Sequence, residues 1–135
     1  MSKPLTPELT WLVASVILTG VLWLPYIVDR MREHGLWRAL QNPNKDARPK
    51  AAWADRLMWA HANAVENLVI FAPLVLTAHA VGATGPTTTL AAQTYFGARL
   101  AHAVIYAAGV PVLRTLAFVA GVIAQVTFAV VILSG

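Results

Sequence analysis

Apolar residues along the chain are gathered into four long blocks, running roughly from Leu9 to Val28, Leu57 to Val81, Thr89 to Gly109 and Leu116 to Leu133. Each is close to the ~20 residues with which a helix crosses the hydrocarbon of a bilayer. The pattern predicts an all-α fold, an integral membrane four-helix transmembrane bundle that forms a single domain over residues 1–135. Thr6 reads as the N-cap of the first helix, with Pro7 at its first position and Glu8 in its first turn. Pro73 predicts a kink in the second helix, and the third stops before Pro111.

The connections differ in kind. GATGPTT and VPVLRT are short turns that force antiparallel neighbours, whereas the segment from Asp29 to Asp55 has room for structure. Within it, GLWRALQNPNK predicts a short interfacial helix ending at Asn42-Pro43, with Trp37 and Trp53 at headgroup depth. The opening MSKPLTPELT, one Lys followed by two prolines and Glu8, is a poor start for a signal peptide, and a basic loop rather than a small-residue cleavage site follows the first block. That block is therefore expected to be a retained helix.

Composition strengthens the membrane assignment. Hydrophobic residues are 58% of the chain and charged residues 12%, about half the charged share of a soluble domain. With no cysteine there is no disulfide and no thiolate metal site. A net charge of +4 raises the possibility of a nucleic-acid partner. Seven of the ten basic residues, however, fall between Arg30 and Arg56 beside an apolar block, so they read as a membrane-flanking loop and no nucleic acid is expected. The positive-inside rule then puts the first and third loops in the cytoplasm and both termini on the opposite, periplasmic side.

Polar residues inside the blocks carry the candidate chemistry, because an ionisable side chain at the bilayer centre costs roughly 2.5–3.5 kcal/mol on insertion scales. On the second helix Arg56, Trp59, Asn63, Glu66, Asn67 and Ile70 share one stripe, with His61 pointing almost the opposite way. On the third, Tyr95, Arg99, His102 and Tyr106 form another. The two stripes are expected to converge near the cytoplasmic third of the membrane, with Glu66 reaching Arg99. That convergence suits either a structural polar network or a site for a polar or anionic small molecule. His34, His61, His79 and His102 lie on different faces, and no metal site is expected. Gly97 and Ala101, Ala103 and Ala107, and Ala117 and Gly121 are small pairs suited to helix packing.

The run RLMWAHANAVENLVIF, with Arg56, Ala60, His61, Asn63 and Glu66, and the run ARLAHAVIYAAGVPVLR resemble the signature of the MAPEG family, membrane-associated proteins in eicosanoid and glutathione metabolism. The resemblance extends over essentially the whole chain. It implies a homotrimer with glutathione as co-substrate, bound between subunits near the cytoplasmic side. By that resemblance Arg32, Asn63, Glu66, Asn67, Arg99, His102 and Tyr106 bind glutathione, Glu66 through its amino group, and Arg114 is the catalytic arginine that stabilises the thiolate. Trp59 and Ala62 stand where eicosanoid enzymes of the family carry arginines, and Asn67 and His102 stand where some members have tyrosine.

The expected function is that of a glutathione-dependent transferase or peroxidase of the bacterial inner membrane, acting on lipophilic electrophiles dissolved in the lipid. A non-catalytic trimer with a structural polar network is the alternative. A small proton-coupled exporter using Glu66 is disfavoured, since such proteins usually carry the carboxylate in their first helix, and here no charge lies between Leu9 and Val28. The topology is directly testable in a chain free of cysteine. Ser2→Cys and Asn44→Cys are expected to react with impermeant maleimide from opposite sides of the membrane; labelling of position 44 in intact cells reverses the orientation.

Overall fold

The computed structural model describes residues 4–42 and 48–135, and every regular element in them is helical. These are α1 (Pro7–Val21), α2 (Trp23–His34), α3 (Leu36–Ala39), α4 (Ala52–Ala80), α5 (Pro86–Ala108) and α6 (Pro111–Ser134). Ser2, Asn44 and the Pro43 end of the expected interfacial helix lie outside the described residues; α3 is the part of that helix the structure shows. Three helical stretches among the described residues are long and apolar enough to cross a membrane: Pro7–His34, Ala52–Ala80 and Pro111–Ser134. α5 carries Gln93, Arg99 and His102 and is not one of them, yet it packs on α1, α4 and α6.

The helix boundaries depart from the apolar blocks for local reasons. The first helix continues to His34 but breaks at Leu22. Pro25, three residues on, has no N–H to give the carbonyl of Val21, so the ladder is interrupted there. α5 and α6 both begin on a proline, Pro86 and Pro111. Proline at the first helical position costs no hydrogen bond and pre-sets the backbone angle. VPVLRT is therefore not a turn: the connection is Gly109 and Val110 alone, and Arg114 lies on the first turn of α6. Gly109 has φ 81°, and its missing side chain leaves room for Arg56, whose Cζ would lie 3.0 Å from an added Cβ. α4 passes through Pro73 as one continuous helix.

The interior is two apolar clusters with a polar layer between them. Leu12, Phe71, Val75, Tyr95 and Phe128 centre one cluster, in which Tyr95 stacks on Phe71 at 3.6 Å between ring centroids. Leu22, Leu57, Ala60, Ala64 and Ala103 form the other. The outer surface is also apolar, with Val69, Val104, Val112 and Ile123 among many exposed side chains. Such a surface suits lipid and would drive a water-soluble monomer to aggregate.

Charges close both ends of α5. The Glu8 carboxylate is only 2% exposed and sits at the helix N-terminus, where Oε1 accepts from the Gly85 N–H at 3.2 Å, the Thr88 hydroxyl at 2.8 Å and the Thr89 hydroxyl at 3.0 Å. At the other end Arg56 Nε donates to the carbonyl of Ala107 at 2.9 Å. Both placements complement the helix dipole and satisfy groups that a helix end leaves open. Glu8 thereby ties the start of α1 to the start of α5, nearly eighty residues away. Glu8→Ala is expected to cost about 1–3 kcal/mol, since it leaves these buried donors unpaired, whereas Glu33→Ala at an exposed position is expected to stay within about 0.5 kcal/mol. Unfolding of the detergent-purified variants, followed by circular dichroism, compares them; equal stability would refute the clamp.

Candidate functional site

The polar layer is built around Arg99. Its side chain is 2% exposed, and no carboxylate lies within salt-bridge distance of it among the described residues. Nη1 donates to Asn63 Oδ1 at 3.0 Å and Nη2 to the carbonyl of Phe118 at 3.3 Å, while Nε has no partner. The rings of Phe118 and Tyr95 lie 5.4 and 5.7 Å from Cζ, within range of a cation–π attraction. Behind Asn63 the amides continue in series. Asn67 Nδ2 donates to the Asn63 carbonyl at 2.8 Å, and Gln125 Nε2 donates to the Asn67 carbonyl at 3.2 Å. Gln125 belongs to the layer although the convergence of the two stripes does not include it. Its signal is a lone amide in the otherwise apolar run GVIAQVTFAV.

A second set of side chains leads from Arg99 toward the start of α6. His102 is buried edge-on to Tyr106 at 5.4 Å and tilted against Phe118 at 6.3 Å. The guanidinium of Arg114 lies over the ring of Tyr106, 4.4 Å from its centroid. Arg114, Tyr106, His102, Phe118 and Arg99 thus form one line, with a cation at each end and three rings between. The Tyr106 hydroxyl bonds to no described side chain. Beside this line a groove of about 450 Å³ runs along α6, lined by Phe118, Val122, Ile123, Val126 and Val130 with Thr87 at its far end.

Glu66 does not join the cluster. Its side chain is exposed on the outside of the subunit, at the midpoint of α4, and Asn63 occupies the place beside Arg99 that Glu66 was expected to take. Helical phase gives the reason. At about 100° per residue, Ile70, Trp59 and Glu66 lie about 20°, 40° and 60° to one side of Asn63, and Arg56 and Asn67 about 20° and 40° to the other. The edge of the core runs along this line, so Asn63 and Asn67 turn inward while Trp59, Glu66 and Ile70 stay outside. The expected single buried pocket is therefore an inner layer plus an outer stripe. His61 faces away from both and is hydrogen-bonded to the Tyr26 hydroxyl at 2.9 Å. Arg32 is exposed in the last turn of α2, apart from the layer. No group of three or more acidic or histidine side chains that could hold a metal ion occurs among the described residues.

The close fit around Arg99 depends on Gly121. A Cβ at that position would lie 2.7 Å from Arg99 Nη2. Gly121→Ala is expected to push the guanidinium off Phe118 and destabilise the protein by about 1–3 kcal/mol. Gly20→Ala, with nothing within 4 Å, is expected to be neutral or stabilising, because alanine is the better helix former by about 1 kcal/mol. Thermal unfolding of the two variants in detergent is the check, and a neutral Gly121→Ala would mean that Arg99 is not held as described.

Two of the small pairs are also sorted. Gly121 packs against Arg99, whereas Gly97 is exposed and a Cβ added there would meet nothing within 4 Å. No curated protein and no solved structure matches the chain. The MAPEG family model matches residues 9–134, which include every side chain of the polar layer and of the outer stripe. The chain is an integral membrane protein, and it belongs to the MAPEG family.

Proposed function

We propose that the protein is a glutathione-dependent transferase or peroxidase that acts on lipophilic electrophiles, working as a homotrimer in a bacterial inner membrane with α5 as a fourth crossing. One observation carries this: a carboxylate, Glu66, exposed at the centre of a membrane-spanning helix. Facing lipid it would cost roughly 2.5–3.5 kcal/mol. A neighbouring copy of the chain that closes over this face, with a cationic ligand group against the carboxylate, removes that cost. The amino group of glutathione is such a group, and the cleft between copies is a site for the tripeptide.

The remaining parts fit the chemistry. Arg114 presents a guanidinium at the end of the cation–ring line, where it stabilises a thiolate and raises its fraction near neutral pH. The thiolate sulfur attacks the electrophilic atom. In transfer a C–S bond forms as the leaving group departs with its electron pair and takes up a proton. In peroxide reduction an S–O bond forms as the O–O bond breaks, the released alkoxide takes up a proton, and a second glutathione displaces water from the sulfenic acid to give the disulfide. The groove along α6 opens to lipid and ends at Phe118, which gives a hydrophobic substrate a path to the line. A purely structural role for the inner layer is favoured by its own bonding, since Asn63, Asn67, Gln125 and Arg99 are linked to one another in series. Arg99, Asn63 and Asn67 then serve the site by holding it rather than by touching ligand.

Two substitutions separate the roles. Arg114→Ala is expected to abolish turnover while leaving folding and assembly intact. Glu66→Ala is expected to weaken glutathione binding by about tenfold or more, the value of one charge-assisted hydrogen bond, without lowering the stability of the subunit. Calorimetric titration with glutathione, together with native mass spectrometry for the assembly, reads both. A stable monomer, or wild-type protein that neither binds millimolar glutathione nor is stabilised by it, would refute the proposal.

A further inference from the structure

α3 stands apart from the bundle. The chain leaves α2 at Gly35, where φ is 81°, and among the described residues α2 is the helix on which α3 packs. Leu36, Trp37 and Leu40 are 63%, 77% and 71% exposed, more than any large apolar side chain of α1 or α2. At about 100° per residue the three fall within an arc of about 100°. One side of α3 is therefore apolar and uncovered.

Depth says what covers it. The spanning stretch Pro7–His34 has 28 residues and α4 has 29. At a rise of about 1.5 Å per residue each is about 42–44 Å long. That exceeds the ~30 Å of hydrocarbon and matches a bilayer with its headgroups, about 40–45 Å. The end of α2 and the start of α4 thus emerge at headgroup level, and α3 is strung between them. An apolar arc with a tryptophan at that level lies at the boundary of headgroups and acyl chains.

Charge says which lipid. From Asp29 to Arg56 the chain carries seven Lys and Arg against four Asp and Glu, an excess of three positive charges. Some of the cations are engaged within the chain: Arg48 is forked on Asp55 at 3.1 and 3.3 Å, and Arg56 donates to the Ala107 carbonyl. Arg38 is exposed and bonds to no described residue. It follows Trp37 by about 100° and so flanks the apolar arc. Its long stem lets the guanidinium reach a phosphate while the arc stays in hydrocarbon.

We propose that α3 is a lipid-binding surface, with Leu36, Trp37 and Leu40 seated among the upper acyl chains and Arg38 on the phosphate of an anionic phospholipid. A zwitterionic headgroup offers the same phosphate, but its own ammonium offsets the charge, so the anionic lipid is preferred. One arginine near such a surface contributes about 1 kcal/mol, which is about fivefold in occupancy. The attraction is mainly one of charge, so lysine can replace Arg38.

The chain has no cysteine, so Gln41→Cys places a single NBD fluorophore beside α3. The labelled full-length protein is reconstituted in phosphatidylcholine vesicles that contain phosphatidylglycerol or phosphatidylcholine with a nitroxide high on the acyl chain. Nitroxide phosphatidylglycerol is expected to quench about fivefold more effectively than nitroxide phosphatidylcholine, and the difference is expected to shrink as salt is raised. Arg38→Gln is expected to remove most of the preference and leave quenching by phosphatidylcholine unchanged, while Arg38→Lys keeps it. A fluorophore quenched by acrylamide from the water and by neither lipid places α3 off the bilayer. One reached by neither acrylamide nor lipid is covered by protein, as by a second copy of the chain. Either result overturns the proposal, and so do equal quenching by the two lipids and an Arg38→Gln variant with the wild-type preference.

Discussion

A guanidinium buried without a carboxylate is the constraint on which the rest of the interior depends. Arg99 cannot shed its proton, and the low-dielectric interior penalises an uncompensated charge heavily. The fold distributes the compensation over the Asn63 amide oxygen, the Phe118 carbonyl and two ring faces. No single group cancels the charge, so every one of them has to be in register. That requirement explains features that look unrelated in isolation. Gly121 is open because the guanidinium occupies the space of its side chain, and Asn63 is kept in its rotamer by Asn67, which Gln125 holds in turn. Three helices are thereby locked at one level.

Lock and clamp act at different heights. The polar layer fixes α4, α5 and α6 in the middle, while Glu8 and Arg56 fix α5 at its two ends. In lipid the hydrophobic effect gives helices little reason to prefer one another, so packing and hydrogen bonds must define their arrangement. α5 has the least apolar sequence of the long helices and the most polar contacts. Its position is specified by named bonds rather than by the solvent. The contact of Arg114 with Tyr106 lies at its C-terminal end and inherits that rigidity.

The outer stripe of α4 has the opposite character. Trp59, Glu66 and Ile70 are exposed on the outside of the chain. A side chain of the inner layer is judged by its partners within one chain. A side chain of the stripe is judged by its mismatch with lipid. Both kinds of residue stand within four positions of each other on a single helix, which lets one element serve the core and an outward-facing surface.

Much of this was legible in the sequence. The apolar blocks located the helices, because a span needs a minimum length of apolar residues whatever its neighbours are. Helical periodicity put Asn63 with Arg56 and set His61 apart, since phase is a property of one helix alone. The run from Arg56 to Glu66 carried the family. The starts of α5 and α6 were hidden because Pro86 and Pro111 read as breakers when their role is to begin a helix. Which way Glu66 turns was not legible, because phase gives angles about a helix's own axis and not the direction of the neighbouring helix. With the core edge passing between Ile70 and Asn63, Glu66 falls about 40–60° outside it. Glu8 meeting Thr88, Arg56 meeting Ala107 and Arg48 meeting Trp59 likewise join residues far apart in sequence or set in a loop without periodicity. Sequence alone determined the helices, their polar positions and the family they belong to; which polar groups meet was decided by tertiary packing, since a hydrogen bond acts over about 3 Å and only the assembled helices bring its ends that close.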